Sequence, residues 1–298
     1  MPQDIQIISS QNINPSLWND CVIKHQTPIY CRYEYLSTMA KNWSGLILGD
    51  YKAVMPICYK RKYGIKYCYT PAFMQQLGWV GEPIHWQELE KVITQFVKYG
   101  DVMFNWKNDL VDENAIAKTN FIISLEQSYD KISSQYNSDL EQNLKKANKE
   151  NLIYKSSIEI PQAIHYYKQL YADRLEKTTQ QDFENLLSLC SLLNEANNCI
   201  VRKVCNNDNE LLAIALLLKD ENRIYNIANS TTSLGKKSAA NHFLIDNILK
   251  EFSNTDLIFD FEGSDLPGVK SFYENFGAIN QPYYHVHINK LWFLPKNF

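Results

Sequence analysis

The feature that most constrains the fold is an order of predicted elements that occurs twice along the 298-residue chain. Apolar periodicity in each half predicts strand, helix, helix, three strands, helix, strand, helix and strand. DVMFNW (101–106) and DLIFDF (256–261) occupy the same place in the two halves and are similar in character at every position. Because the spacings between the preceding strands also agree to within a few residues, we predict an internal duplication.

The duplication predicts a mixed α/β fold class in which two tandem halves each hold a mostly antiparallel sheet flanked by helices. We place an N-terminal domain at 1–126 and a C-terminal domain at 127–298. The polar, charged segment DLEQNLKKANKEN (139–151) follows the first copy. It predicts a linking helix at about 138–150, which opens the second domain.

Composition and charge exclude several classes of protein. The net charge of −3 gives no global basic field for nucleic acid. The N-terminal stretch lacks a secretory pattern, and no apolar run is long enough to span a membrane. The seven scattered cysteines include no Cys-x-x-Cys pair, which is typical of reduced thiols in a cytoplasmic protein. His285 and His287 share a predicted strand face, but no third ligand is spaced nearby, so we expect no metal.

Three short motifs carry a resemblance to a known superfamily. They are SFYENFGA (271–278), LEQNLKKANKENL (140–152) and YTPAFMQQLG (69–78). With the element order, they resemble the GNAT N-acetyltransferases, and the tandem arrangement resembles the Fem peptidyltransferases. The resemblance implies two GNAT-like domains and transfer of an acyl, acetyl or aminoacyl group to a small or peptide-like amine acceptor.

The resemblance leaves two classes of acyl donor. The superfamily loop that binds the pyrophosphate of acyl-CoA reads Gln/Arg-x-x-Gly-x-Gly/Ala, whereas this chain keeps Gly235 between Thr232 and Lys237. Fem-like chains, which use aminoacyl-tRNA, often carry a Phe-Lys pair where this chain has Phe272–Tyr273. The lysines of the segment 140–152 either contact RNA phosphates or form a solvated face. They are Lys145, Lys146 and Lys149. Acyl-CoA and tRNA therefore both remain alternatives.

Two carboxylates at alternate positions end the predicted strand of the second half. Residues two apart on a strand share a face, so Asp260 and Glu262 are candidate general bases. The first copy has Asn105 and Lys107 at the matching positions. In the alternative interpretation, both carboxylates accept hydrogen bonds from the loop amides of residues 263–268.

Tyr273 is the candidate general acid, because the resemblance places a tyrosine there that protonates the leaving group. The alternative is a core residue whose hydroxyl reaches the surface.

Two loops are candidate ligand contacts. The loop before the helix at AANHFLIDNILKEF is the candidate anion or cofactor loop, since a helix N-terminus favours phosphate. Its residues are Asn229, Ser230, Gly235, Lys236, Lys237 and Ser238. The alternative is a solvated capping loop. In the first half, Tyr69, Gln75, Gln76 and Trp79 are candidate substrate contacts, because their loop is aromatic and rich in amides.

The leading prediction is an acyltransferase in which Glu262 or Asp260 is the base. The donor carbonyl would lie near Asn229 and Glu262. The alternatives are a non-catalytic ligand-binding module of the same fold and a tRNA-dependent peptidyltransferase.

Overall fold

A computed structural model describes residues 4–108, 115–157, 159–171, 178–263 and 265–291. The strands within them are β1 (Ile5–Ser9), β2 (Trp43–Leu48), β3 (Ala53–Lys62), β4 (Ile65–Cys68), β5 (Val80–Gly81), β6 (Tyr99–Phe104), β7 (Ile116–Lys118), β8 (Phe121–Ser124), β9 (Ile153–Ser157), β10 (Cys199–Cys205), β11 (Leu211–Lys219), β12 (Arg223–Thr231), β13 (Ile258–Asp260), β14 (Ile279–Asn280) and β15 (Tyr283–Asn289).

Most helices lie between strands at the places that the periodicity predicts. They are α1 (Pro15–Lys24), α2 (Tyr33–Met39), α3 (Trp86–Phe96), α4 (Tyr129–Ser133), α5 (Ser138–Lys149), α6 (Ile160–Tyr171), α7 (Gln180–Asn194), α8 (Ser233–Lys237), α9 (Ala240–Phe252) and α10 (Pro267–Glu274). The predicted linking helix corresponds to α5. The predicted continuation of α6 over residues 172–177 lies outside the described residues. Among the helices that the structure describes, none is both long and apolar enough to cross a bilayer.

The chain divides into two compact units, each with its own sheet. The first unit is Met1–Lys118 with Pro282–Phe298, and the second is Thr119–Gln281. The sheet of the first unit has the order β1-β2-β3-β4-β6-β15-β7, with β5 paired to β3. Its strands pair antiparallel except for β4 and β6, which are parallel. Apolar side chains of these strands and of α3 form its core.

The sheet of the second unit has the order β14-β8-β13-β12-β11-β10-β9. It is antiparallel except for the parallel pair β12 and β13. The interior strand β11 reads LLAIALLLK and is buried along almost its whole length, as expected of a strand covered on both faces. Its core side chains pack against α9, which contributes Leu244, Ile245, Ile248 and Leu249. The predicted mixed α/β class, with two halves that each hold a mostly antiparallel sheet flanked by helices, is confirmed.

The last strand of the first sequence copy belongs to the sheet of the second unit, and the last strand of the second copy belongs to the sheet of the first unit. β8 ends the first copy but pairs with β13 and β14 in the second unit. β15 ends the second copy but pairs with β6 and β7 in the first unit. The two compact units therefore have different boundaries from the two sequence copies. The predicted domain boundary between residues 126 and 127 describes the sequence repeat and stays a prediction.

Candidate functional site

The second unit contains a cavity of about 470 Å³ where two neighbouring strands diverge. The parallel ladder of β12 and β13 ends at Tyr225 and Asp260. β12 continues to Thr231, whereas β13 ends at Asp260. Beyond that point Asn226, Ile227 and Asn229 of β12 and Phe261 and Glu262 after β13 line the same cavity, which we refer to as the Glu262 cavity. Helices α6, α9 and α10 supply the remaining lining side chains.

A bulge in β12 brings two asparagines to this cavity. Tyr225 pairs with Leu218, and Ala228 pairs with Leu216. The single residue Leu217 of β11 therefore lies opposite two residues of β12. Regular alternation would place Asn226 and Asn229 on opposite faces of the sheet, because they are three residues apart. The extra residue of a β-bulge shifts this alternation. Both asparagines therefore line the Glu262 cavity.

Glu262 combines an unusual backbone with a shielded carboxylate. Its φ of 58° lies in the left-handed region, which costs free energy for a residue other than glycine and is frequent at functional sites. Its Oε1 is shielded from solvent and hydrogen-bonds to none of the described residues. Burial raises the pKa of Glu262 to about 8, because the charged form loses its hydration. This carboxyl group can exchange a proton near neutral pH.

The turn that carries Glu262 is held by Asn120. The Asn120 side chain accepts a hydrogen bond from the Gly263 amide at 2.8 Å and donates one to Asp260 Oδ2 at 3.1 Å. Gly263 also lies against the backbone of this segment, because an added Cβ would be 2.1 Å from the Thr119 carbonyl oxygen. These contacts hold the backbone of the turn and do not involve Oε1 of Glu262.

Asp260 has a different environment although it is only two residues away. It is buried, and its Oδ2 lies 2.6 Å from Nη1 of Arg223. Its Oδ1 accepts the Glu262 amide at 2.9 Å. The strand that includes Asp260 ends there, so the alternation that predicted a shared face does not extend to Glu262. Asp260 remains a predicted base, but in this structure its oxygens bind Arg223, Asn120 and the turn.

Tyr273 lies on α10 and lines the Glu262 cavity. Its ring packs against Phe261 at a centroid distance of 4.6 Å and against Phe121 at 6.0 Å. Burial, followed by the nearby Glu262 charge, raises the pKa of Tyr273 well above its usual range. The phenol therefore carries its proton at neutral pH.

The structure places most of the predicted anion loop away from the Glu262 cavity. Only Asn229 of its six predicted residues lines the cavity. Ser230 is buried in β12, and its Oγ hydrogen-bonds to none of the described residues. The other four predicted residues belong to α8 or follow it directly.

The α8 segment does not form an open phosphate cradle at its predicted residues. Thr232 caps the helix and accepts the Gly235 amide at 3.0 Å. A Cβ on Gly235 would be 2.1 Å from the Leu212 carbonyl oxygen, so this glycine serves packing against β11. Ser238 Oγ bonds to carbonyls of the same helix, while Lys236 and Lys237 are exposed. These residues do not form a cradle that fits the pyrophosphate of CoA.

The four predicted substrate contacts lie in the first unit. Trp79 is buried and lines a separate cavity of about 270 Å³, with its Nε1 donating to the Glu82 carbonyl at 2.6 Å. The Gln76 side chain is buried and donates to Gln75 Oε1. Lys60 Nζ lies over the ring of Tyr69, 4.3 Å from the ring centroid. Tyr69, Gln75 and Gln76 are not among the residues that line this cavity, and their role stays a prediction.

Four residues with polar atoms that line the Glu262 cavity were not predicted from the sequence: Asn226, Asn241, Tyr167 and Tyr171. Asn226 is buried, and its Oδ1, the Oδ1 of Asn241 and the Nδ2 of Asn229 hydrogen-bond to none of the described residues. Such buried polar atoms are rare in folded proteins and call for a partner. The signal in the sequence was an asparagine at positions 226 and 229 of the mostly buried strand β12 and at position 241 in the first turn of α9.

Two weaker clusters have local partners. His285 Nε2 and His287 Nδ1 each lie 2.8 Å from the same Oδ1 of Asp101. Among the residues that the structure describes, no group of three or more His, Cys, Asp or Glu side chains is placed to hold a metal ion. Lys145, Lys146 and Lys149 are exposed on α5, where Lys145 lies 3.9 Å from Glu141.

The fold is shared with solved proteins at low sequence identity. No protein-family model and no curated protein matches the sequence. FemX superposes with a TM-score of 0.64 at 10% identity, over 96% of this chain and 98% of FemX. A conserved protein of unknown function from Bacteroides thetaiotaomicron gives a TM-score of 0.60 at 8% identity, over 96% of this chain and 100% of that chain.

A third similar structure is the C-terminal domain of a putative lysylphosphatidylglycerol synthetase from Agrobacterium fabrum. It gives a TM-score of 0.52 at 11% identity, over 92% of this chain and 91% of that chain. The chain therefore has the tandem GNAT-like fold of the FemX type. At these identities the likeness concerns the fold, because function resides in sites carried on folds.

Proposed function

We propose that this protein is an acyltransferase that moves an acyl or aminoacyl group onto an amine. The observation that carries the proposal is the Glu262 carboxylate, whose shielded Oε1 has no partner among the described residues and whose pKa burial raises to about 8. An amine is an ammonium at neutral pH and must lose a proton to become a nucleophile. A base whose pKa lies near the working pH suits that transfer. The FemX-type fold is consistent with this reaction class.

In the proposed reaction, Glu262 Oε1 takes one proton from the ammonium. The nitrogen then forms a C–N bond to the acyl carbonyl carbon, and the carbonyl oxygen becomes an oxyanion. Asn229 Nδ2, which hydrogen-bonds to none of the described residues, would donate to that oxygen. The bond from the carbonyl carbon to the leaving group breaks, and the Tyr273 hydroxyl gives that group its proton. The Tyr273 phenolate then takes the second proton from the nitrogen, which leaves the neutral amide, and Glu262 releases its proton to solvent.

The test is a transfer assay with a panel of acyl-CoA thioesters and charged tRNAs, each with a mixture of amines, and mass spectrometry of the products. We expect the wild-type protein to form an amide with one donor class. Glu262→Gln should slow that transfer by about 100-fold or more, the usual scale of acid–base catalysis. Glu274→Gln is the matched control, because Glu274 is exposed on α10. Full turnover by Glu262→Gln would overturn the assignment.

The same panel also separates the alternatives of the sequence analysis. Binding of a donor or amine without any amide product would favour a non-catalytic binding module. Product from charged tRNA alone would identify a tRNA-dependent peptidyltransferase, and product from acyl-CoA alone would identify an acyl-CoA-dependent enzyme.

A further inference from the structure

The Glu262 cavity presents three hydrogen-bond acceptors that have no partner within the described part of the chain. They are Oε1 of Glu262, Oδ1 of Asn226 and Oδ1 of Asn241. All three side chains line the same cavity although they come from three different elements, namely the turn after β13, strand β12 and helix α9. Burying an acceptor without a donor is costly. A ligand that supplies donors would remove that cost.

Local structure restrains the backbone that carries each of these acceptors. Asn226 is only 7% exposed and sits at the bulge of β12, so its side chain has little freedom to turn to solvent. Asn241 is in the first turn of α9, whose N-cap residue Ala239 has a φ of 57°. The turn of Glu262 is held by Asn120, as described above. The backbone that carries the acceptors is therefore in place before a ligand arrives, which favours selective binding.

We propose that Asn226 and Asn241, together with Glu262, select an acceptor substrate that bears a primary ammonium group. A primary ammonium has three N–H donors, which equals the number of these acceptors. Asn229 Nδ2, a donor in the same cavity that hydrogen-bonds to none of the described residues, is left for the acyl oxygen. A secondary ammonium has two N–H groups and a tertiary one has one, so each added methyl group leaves one buried acceptor unpaired.

The aromatic lining fits the same ligand. The rings of Tyr167, Tyr171 and Tyr273 line the cavity, and aromatic faces attract ammonium groups. This inference rests on the proposed function for the identity of the amine as the acceptor. It extends that function by assigning specificity to two asparagines that the proton-transfer steps do not use.

The first experiment uses the wild-type protein and three matched amines, namely butylamine, N-methylbutylamine and N,N-dimethylbutylamine, in calorimetric titrations at pH 7. We expect affinity to fall about 10-fold with each methyl group, because a site built to hydrogen-bond a ligand rejects analogues that lack the donor. Equal affinity for the three amines, or no binding of butylamine, would overturn the proposal.

The second experiment compares variants by the same titrations. Asn226→Leu and Asn241→Leu should each reduce the preference for butylamine over N-methylbutylamine to about 2-fold or less. Asn226→Asp keeps an acceptor at the same place and should keep the preference. Asn247→Leu is the control, since the Asn247 amide bonds to the Phe243 carbonyl on the same helix. Circular dichroism checks that each variant is folded.

The titrations also distinguish this inference from the proposed function, because binding is measured without turnover. Selective binding of butylamine with no transfer from any donor would contradict the acyltransferase and keep the selectivity for a primary amine. Transfer that depends on Glu262 but proceeds equally with butylamine and N-methylbutylamine would keep the acyltransferase and overturn the role of the two asparagines.

Discussion

Arg223 and Asp260 form a buried ion pair with 2.6 Å between Nη1 and Oδ2, two residues before the carboxylate of Glu262. Both side chains are almost fully shielded from solvent. Arg223 also donates to Gln281 Oε1 at 3.0 Å. The pair joins the first residue of β12 to the last residue of β13, at the ladder that ends beside the Glu262 cavity.

Asp260→Asn is expected to destabilise the second unit strongly. The substitution keeps the shape of the side chain but removes the negative charge that lies against the buried Arg223 guanidinium. Breaking a buried pair in this way costs about 3–5 kcal/mol of unfolding free energy. Urea unfolding followed by circular dichroism measures it, with Asp256→Asn as the control because Asp256 is exposed in the same segment. A loss below about 1 kcal/mol would show that Asp260 has no such structural role.

Glu262→Gln is expected to stabilise the protein increasingly as the pH rises. The unfolded chain releases the Glu262 proton near the ordinary value of 4.5, whereas the folded chain holds it up to about pH 8. The wild-type protein therefore loses stability as the pH rises from about 4.5 to 8, at up to about 1.4 kcal/mol per pH unit. The amide side chain of the variant does not titrate, so the variant escapes this loss.

The measurement for Glu262→Gln is the unfolding free energy of both proteins between pH 4 and pH 9. Their difference should be smallest at pH 4 and should reach its full size near pH 8. A difference that does not change with pH would mean that the folded carboxyl group has an ordinary pKa.

Much of the fold could be predicted because apolar periodicity is a local property of the sequence. The order of strands and helices and the linking helix α5 follow from it. The partners of β8 and β15 could not be predicted, because pairing depends on contacts between residues far apart in the chain. The segment before β8 was predicted as a short helical piece, but Ile116–Lys118 forms strand β7 against β15. Tertiary pairing prevailed there over local propensity.

The site was predictable only in part for a similar reason. Glu262 and Tyr273 were predicted as candidates, and the structure brings both to one cavity. The interpretation of Asp260 and Glu262 as one face of a strand was wrong in its geometry, because Glu262 has a left-handed backbone after the strand end. Asn226 was missed because the bulge in β12 leaves no mark in the apolar pattern. Arg223, the partner of Asp260, is 37 residues away in sequence.

Tyr273→Phe is expected to slow transfer while leaving the fold intact. The ring contacts with Phe261 and Phe121 remain, because phenylalanine keeps the aromatic ring. Only the proton for the leaving group is lost, which corresponds to about 100-fold or more in rate. The effect should be larger for a donor with a basic leaving group than for an activated ester. Equal rates for the variant and the wild-type protein would exclude Tyr273 as the acid.

Asp101→Asn is expected to weaken the first unit at pH 5 but not at pH 2. The hydrogen bonds from His285 and His287 lower the pKa of Asp101 to about 2. A lowered pKa contributes stability above the ordinary carboxyl value, and this stability is lost as the pH falls through about 2. Thermal midpoints at pH 5, 4, 3 and 2 measure the effect, with Asp208→Asn as an exposed control. A constant difference between wild type and Asp101→Asn would contradict the linkage.

Gly100→Ala is expected to cost more stability than Gly64→Ala, although both glycines have positive φ. Gly64 has a φ of 79° and nothing within 4 Å of an added Cβ, so alanine there adds only backbone strain, about 1–2 kcal/mol. Gly100 has a φ of 122°, and its Cβ would be 2.0 Å from the Cys68 carbonyl oxygen in the parallel ladder of β4 and β6. The shift of that backbone adds roughly 1–3 kcal/mol. Urea unfolding of the two variants measures the difference, and equal losses would mean that β4 and β6 can separate freely at this point.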